Sequence, residues 1–174
     1  NTKFGTGSIR TGIGDTAQYL GVKGDSFPAF GTGDFTIEAF VKYNDGTSSN
    51  FYDTRPAGVQ GLYPSVYVNS NKFKYYTNSA DRITGETKTI NRWYHVAVVR
   101  YNSETKLYVD GRQEGATYAD TNNYLTATDR PILGNRNTTG FDGFVDEMRI
   151  TLGQARYTAN FTPMTAASGN KSPG

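Results

Sequence analysis

The chain has 174 residues, with 18 basic and 16 acidic side chains, one His and no Cys. That length suits one domain with its own core, and the missing Cys excludes a disulfide framework, a thiolate nucleophile and any Cys-bound metal. A net charge of +2 is too balanced to point to nucleic acid, and no run approaches the roughly 18 apolar residues of a membrane helix, so neither partner is expected.

A single His rules out a multi-His metal site. Twenty glycines, about 11% of the chain, exceed the usual share near 7% and, without a G-X-Y period, read as tight turns. The chain starts at Asn1 with no leader-like segment, the expected mark of a processed or excised piece.

Hydrophobic residues alternate with period two, and no 3.6-residue stripe is present. In 34–43, Phe35, Ile37, Ala39 and Val41 share one face, while Thr36, Glu38 and Lys42 share the other with Phe40 as the exception. That pattern predicts a half-buried antiparallel strand. Segments 64–69 and 73–77 flank a Ser70-Asn71 turn and predict a hairpin. Segment 93–101 (WYHVAVVRY) is apolar on both faces and predicts an interior strand. Leu107 and Val109 alternate with Lys106 and Tyr108, then Asp110-Gly111 gives a type I′ turn signal before a return strand over 112–116. Further turn signals at 31–33, 44–46, 102–103, 122–123 and 142–143 recur at the spacing of sandwiches and barrels. The end, 166–174, is small and polar and reads as a linker. The expectation is an all-β, two-sheet antiparallel sandwich over 1–165 with a C-terminal tail over 166–174.

Three segments carry a family likeness: FGTGDFTIEAFVKY at 30–43, RWYHVAVVRYNSETKLYVDGRQEG at 92–115 and PILGNRNTTGFDGFVDEMRIT at 131–151. In order and spacing they resemble the laminin-G-like jelly-roll domains of the concanavalin A-like lectin/glucanase superfamily, with a weaker match at 15–20. The segment QARYTANFTP at 154–163 resembles the version found in bacteriophage virion proteins. The resemblance implies two sheets packed face to face, with a concave face or rim loops that in many relatives bind sugars, proteins or calcium. Fold alone does not settle which.

Catalysis is not expected. The glucanases of the superfamily carry a Glu-x-Asp-x-x-Glu strand that places two carboxylates on one face, and this chain has none. Asp146 and Glu147 are adjacent in a strand and point to opposite faces. The one His, His95, lies in a strand with no Gly-x-Ser-x-Gly elbow and reads as a packed, hydrogen-bonded side chain. The run 12–17 matches Gly-x-Gly-x-x-Ala by letter, but no βαβ unit surrounds it.

The remaining candidates are ligand contacts. Asp146 shares a face with Phe144, Met148 and Ile150 by simple alternation, so its carboxylate must be satisfied. It either accepts backbone N–H bonds or pairs with Arg, or it is a calcium ligand as in some relatives. The oxygen-rich run 120–123 lacks the Glu of an EF-hand. Trp93 is expected in the core, from its apolar neighbours and from the matching Trp of the family. The candidate binding surface is Tyr52, Arg55, Tyr63, Tyr67 and Tyr76: tyrosines off the core alternation or in a Gly/Pro-rich stretch, with a planar Arg. Such a surface suits a host cell-surface glycan. Tyr and Arg also dominate protein interfaces, so other virion proteins, or further copies of the chain, are the alternative partners. The expected setting is a virion, failing that a secreted or cell-surface protein such as a bacterial adhesin. The sequon at 137–139 would matter only in a eukaryotic secretory pathway.

Overall fold

A computed structural model describes residues 2–11, 19–21, 27–47, 49–136 and 139–167. The Gly-rich run at 12–17, most of the 15–20 match, Asn137 and Thr138 of the sequon and residues 168–174 lie outside the described residues. Among the described residues the strands are β1 (Ile9–Thr11), β2 (Leu20–Gly21), β3 (Phe35–Tyr43), β4 (Ser49–Asp53), β5 (Ser65–Asn69), β6 (Lys72–Thr77), β7 (Ala80–Thr87), β8 (Trp93–Tyr101), β9 (Glu104–Val109), β10 (Arg112–Ala119), β11 (Ile132–Leu133), β12 (Asn135–Arg136), β13 (Thr139–Gly140) and β14 (Gly143–Leu152). They form two six-stranded sheets, ordered β1-β14-β3-β8-β9-β10 (the first sheet) and β2-β11-β4-β5-β6-β7 (the second), with β12-β13 as a separate ribbon. The named pairings are antiparallel.

Turn chemistry sets the register. Ser70 and Asn71 have φ of 53° and 58°, and Asp110 and Gly111 have 49° and 77°, the left-handed pairs that a two-residue hairpin requires. Asn102-Ser103 follows the same pattern, and so does Asn78-Ser79, a further turn without Gly. The sheets meet through Ile37, Val41, Val96, Val98 and Leu107 on one side and Phe51, Val66, Val68, Phe73 and Tyr75 on the other, all in one buried cluster. Strand β8 is interior as expected. Trp93, however, is not in this core. It lies half-buried on the outer face of the first sheet, 6.4 Å from the Phe144 ring, because the inward positions of β8 are Tyr94, Val96 and Val98.

Strand β3 departs from the half-buried expectation by being covered on both faces. Its outer face lies under the chain end. Ala97, Val99 and Tyr108 pack against Ala155, Tyr157 and Phe161, and the last two rings stack at 3.5 Å. Gly111 admits this strap, since a Cβ there would meet the Phe161 carbonyl oxygen at 1.9 Å.

Beneath the strap sits Glu38, only 2% exposed. Its carboxylate accepts from Arg149 Nε at 2.7 Å, Tyr157 Oη at 2.8 Å and His95 Nε2 at 3.1 Å, and pairs with Arg156 at 3.0 Å. An ionised carboxylate only accepts, so the facing His95 nitrogen carries the proton. His95 is thus the packed, bonded strand residue expected. Burial pushes the Glu38 carboxyl up, but the hydrogen bonds from His95, Arg149 and Tyr157 outweigh it and bring the pKa from 4.5 to about 2.

A carboxyl depressed in the folded state stabilises the fold above its unfolded value and ceases to do so as pH falls through its folded value. We therefore predict that acid unfolding followed by urea titration shows a loss of stability between about pH 4.5 and pH 2. The loss should be blunted in Glu38→Gln, which should be less stable than the parent at neutral pH and converge toward it in acid. Parallel pH profiles for the two proteins would refute the assignment.

Candidate functional site

The outer face of the second sheet brings together three of the five proposed contact residues. The Ser70-Asn71 hairpin pairs Tyr67 with Lys74 and Ser65 with Tyr76, which makes Tyr67 and Tyr76 diagonal neighbours on one face, within reach of aromatic rings. Their rings meet edge to face at 6.3 Å, and both are half-buried. Tyr76 Oη donates to Gln60 Oε1 at 2.8 Å. Tyr67 Oη donates to Asp81 Oδ1, whose other oxygen accepts from Lys74 Nζ at 2.7 Å. Burial, then the Asp81 carboxylate, raises the Tyr67 phenol well above its ordinary pKa, so it stays a neutral donor.

Arg55 supplies the planar group. Its guanidinium lies over the Tyr76 ring at 4.6 Å and forks onto Asp53 through Nε to Oδ1 and Nη2 to Oδ2, both at 2.8 Å. The pair is nearly sealed, with Arg55 6% and Asp53 0% exposed. Asn50 and Gln60 turn their carbonyl oxygens toward the same guanidinium at 3.5 and 3.4 Å. Each amide therefore keeps an NH2 group to donate elsewhere. Arg55 is thus a support for the surface rather than its exposed edge. The exposed part is the two phenol rings, the Asn50 and Gln60 amides and the Lys74–Asp81 pair.

Two proposed residues do not join this cluster. Tyr52 is 0% exposed and belongs to the core, with its hydroxyl buried and without a partner. A register shift between Asn50 and Tyr52 is the reason. Phe51 becomes an extra residue in β4, so Phe51 and Tyr52 both turn inward where strict alternation would separate them. Tyr63 is half-buried in the loop between β4 and β5, against Gly61.

Asp146 accepts backbone N–H bonds from two segments. Its Oδ2 accepts from the backbone N–H of Lys3 and Phe4 at 2.9 and 3.1 Å, and Oδ1 from that of Glu147 at 2.8 Å. Among the described residues no group of three or more His, Cys, Asp or Glu converges as a metal site. Its face also differs from the sequence reading. Glu147 has φ of 50° and sits in a register shift between Asp146 and Arg149, so Met148 and Ile150 pack on the core while Asp146 pairs with Phe40 on the outer face.

The other buried acids are likewise engaged. Asp120 accepts from Thr105 and Tyr124, and Glu114 from Lys88 and the Glu86 N–H. Among the described residues, the buried acids Glu38, Asp53, Glu114, Asp120 and Asp146 each have a hydrogen-bond or ion-pair partner.

This architecture has a family. The sequence matches the Concanavalin A-like lectin/glucanases superfamily over residues 14–154, and the chain belongs to it. Its fold is similar to that of a Bacteroides ovatus protein described as a candidate carbohydrate binding protein (TM-score 0.68, 16% identity, 86% of this chain and 44% of that one). It is similar to the sialidase CBM40 of Ruminococcus gnavus, solved with α2,3-sialyllactose (TM-score 0.61, 16% identity, 87% of this chain and 95% of that one). It also resembles a heptameric pentraxin of Limulus polyphemus (TM-score 0.61, 13% identity, 82% and 73%). This chain thus spans less than half of the Bacteroides protein. A comparison with curated proteins finds no match.

Removing one partner of a sealed ion pair takes the counter-charge from the other, at a cost of up to roughly 3–5 kcal/mol. We predict that Arg55→Ala loses about that much stability by urea unfolding, and that Arg55→Lys, which keeps the charge but not the fork, recovers only part of it. A loss under about 1 kcal/mol in Arg55→Ala would show that the pair does not support this face.

Proposed function

We propose that this chain is a non-enzymatic carbohydrate-recognition module whose ligand lies on the outer face of the second sheet, across Tyr67 and Tyr76. The observation that carries the reading is this diagonal tyrosine pair, held edge to face above a buried Arg55–Asp53 fork and flanked by the Asn50 and Gln60 amides. Partly exposed rings offer a sugar its apolar C–H face, and amides with unused NH2 groups supply the directional bonds to hydroxyls. Because the supporting polar groups are already bonded to one another, little ordering is left to be done on binding.

Membership of a lectin-like superfamily, and the likeness in fold to a CBM40 solved with a sialylated sugar, support this reading. The absence of the glucanase Glu-x-Asp-x-x-Glu strand from the sequence supports the non-enzymatic part. The likeness of 154–163 to virion versions of the domain leads us to place the module on a phage particle, as a tail or capsid appendage contacting host glycan. The rival is a structural virion component that uses the same Tyr and Arg surface against other viral proteins or further copies of itself.

A glycan array read with and without calcium decides between them. The expected result is a defined set of hits that does not need calcium and is weakened at least tenfold by Tyr76→Ala, with folding checked by circular dichroism. Blank arrays in both conditions, together with a multimer in light scattering, would overturn the reading in favour of the structural component.

A further inference from the structure

The outer face of the first sheet is covered in two places. The strap lies over Ala97, Val99 and Tyr108. The N-terminal segment, held by Asp146, sets Phe4 edge to face on Phe40 at 5.0 Å. Between these covers and the sheet edge lies one row that neither takes.

Register places Arg10 of β1 beside Phe144 of β14, Phe144 beside Lys42 of β3, and Lys42 beside Trp93 of β8. The row therefore reads cation, aromatic, cation, aromatic across four adjacent strands. Arg10 and Lys42 both lie over the Phe144 ring, at 5.8 and 5.9 Å. Lys3 extends the positive charge over Phe4 and Phe40, at 5.4 and 5.2 Å. Among the described residues none of these three cations is paired with a carboxylate.

This row differs from the tyrosine face in chemistry as well as place. On the second sheet, Arg55 and Lys74 are neutralised by Asp53 and Asp81. Here the cations are held only by aromatic rings, a weak attraction that leaves their charge to act on a ligand. Arg10 and Lys42 stand two strands apart, about 10 Å at the usual strand spacing, which suits separated anionic groups rather than one small ion.

We infer that the Arg10–Phe144–Lys42–Trp93 row is a second binding site, on the opposite side of the sandwich, for a glycan bearing carboxylate or sulfate groups. Arg10 and Lys42 take successive acidic groups, with Lys3 as an outlying contact, and Trp93 offers a ring to the sugar between them. The choice of a glycan rests on the carbohydrate-binding reading. The anionic character rests on the three unpaired cations alone. Nucleic acid carries anions too, but the chain's net charge of +2 lacks the strongly basic surface such binding draws on.

Trp93 is the chain's single Trp, so this site carries its own reporter. Intrinsic fluorescence is titrated with oligogalacturonate as the carboxylated probe, dextran sulfate as the sulfated one, neutral dextran and single-stranded DNA, at low and high salt. Parallel titrations use the double variant Arg10→Gln/Lys42→Gln and, separately, Tyr76→Ala. The expected result is a change in Trp emission with one or both acidic glycans. It should weaken at least tenfold in the double variant and at high salt, persist in Tyr76→Ala, and be absent with dextran.

An acidic-glycan response that persists in the double variant, or vanishes in Tyr76→Ala, overturns this site. So does single-stranded DNA binding more tightly than either acidic glycan. Failure of the tyrosine-face reading looks different: array hits indifferent to Tyr76→Ala, with the Trp93 response intact.

Discussion

A carboxylate cannot be sealed in a protein without partners, and the way this chain satisfies Glu38 arranges much of what surrounds it. Glu38 lies in the middle of β3, in a sheet with a hydrophobic core on its other side. Isolated burial of that charge would cost several kcal/mol. Two arginines, a tyrosine and a histidine offset the cost, and two of them, Arg156 and Tyr157, come from the strap after β14. The pairing therefore ties the chain end across the first sheet. The strap in turn buries Tyr108 and Val99, which would otherwise form an exposed apolar stripe on β8 and β9.

Covering the first sheet has a consequence for recognition. With most of its outer face occupied by the strap and by the segment that Asp146 anchors, the first sheet leaves the Arg10–Trp93 row bare, while the tyrosine pair lies on the outer face of the second sheet. The same device recurs there on a smaller scale. Asp53 and Arg55 close on one another beneath Tyr76, so a planar cation held by its own counter-ion orders the ring. In both places buried charge holds an aromatic surface still.

The parts of this arrangement that alternation governs were legible in the sequence. Inward and outward residues of β3 follow from period two, and the Ser70-Asn71 turn fixes the register that puts Tyr67 and Tyr76 on one face. Two positions were misread where a bulge intervenes. Tyr52, read from its polar, Gly/Pro-rich stretch as a surface residue, lies in β4, where an extra residue at Phe51 turns it inward. One at Glu147 moves Met148 and Ile150 to the core side while Asp146 stays outside. A bulge inserts one position without a composition signal of its own when neither residue is Gly. The sequence was equally silent on long-range cover. Glu38 and Tyr157 are 119 residues apart, and nothing local announces that they meet. Trp93 followed the same logic in reverse, since an apolar strand with both faces covered gives no parity by which to place its ring.

If the proposed function is right, ligand sits on the tyrosine face of the second sheet. Backbone amide chemical shifts, followed by NMR while a glycan taken from the array is added, test this directly. The largest changes should fall on Asn50, Gln60, Tyr67, Lys74 and Tyr76, with β8 and the strap unmoved by a neutral sugar. Changes confined to the rim turns at Asn44–Thr47 or Asp110–Arg112, with Tyr67 and Tyr76 silent, would contradict it.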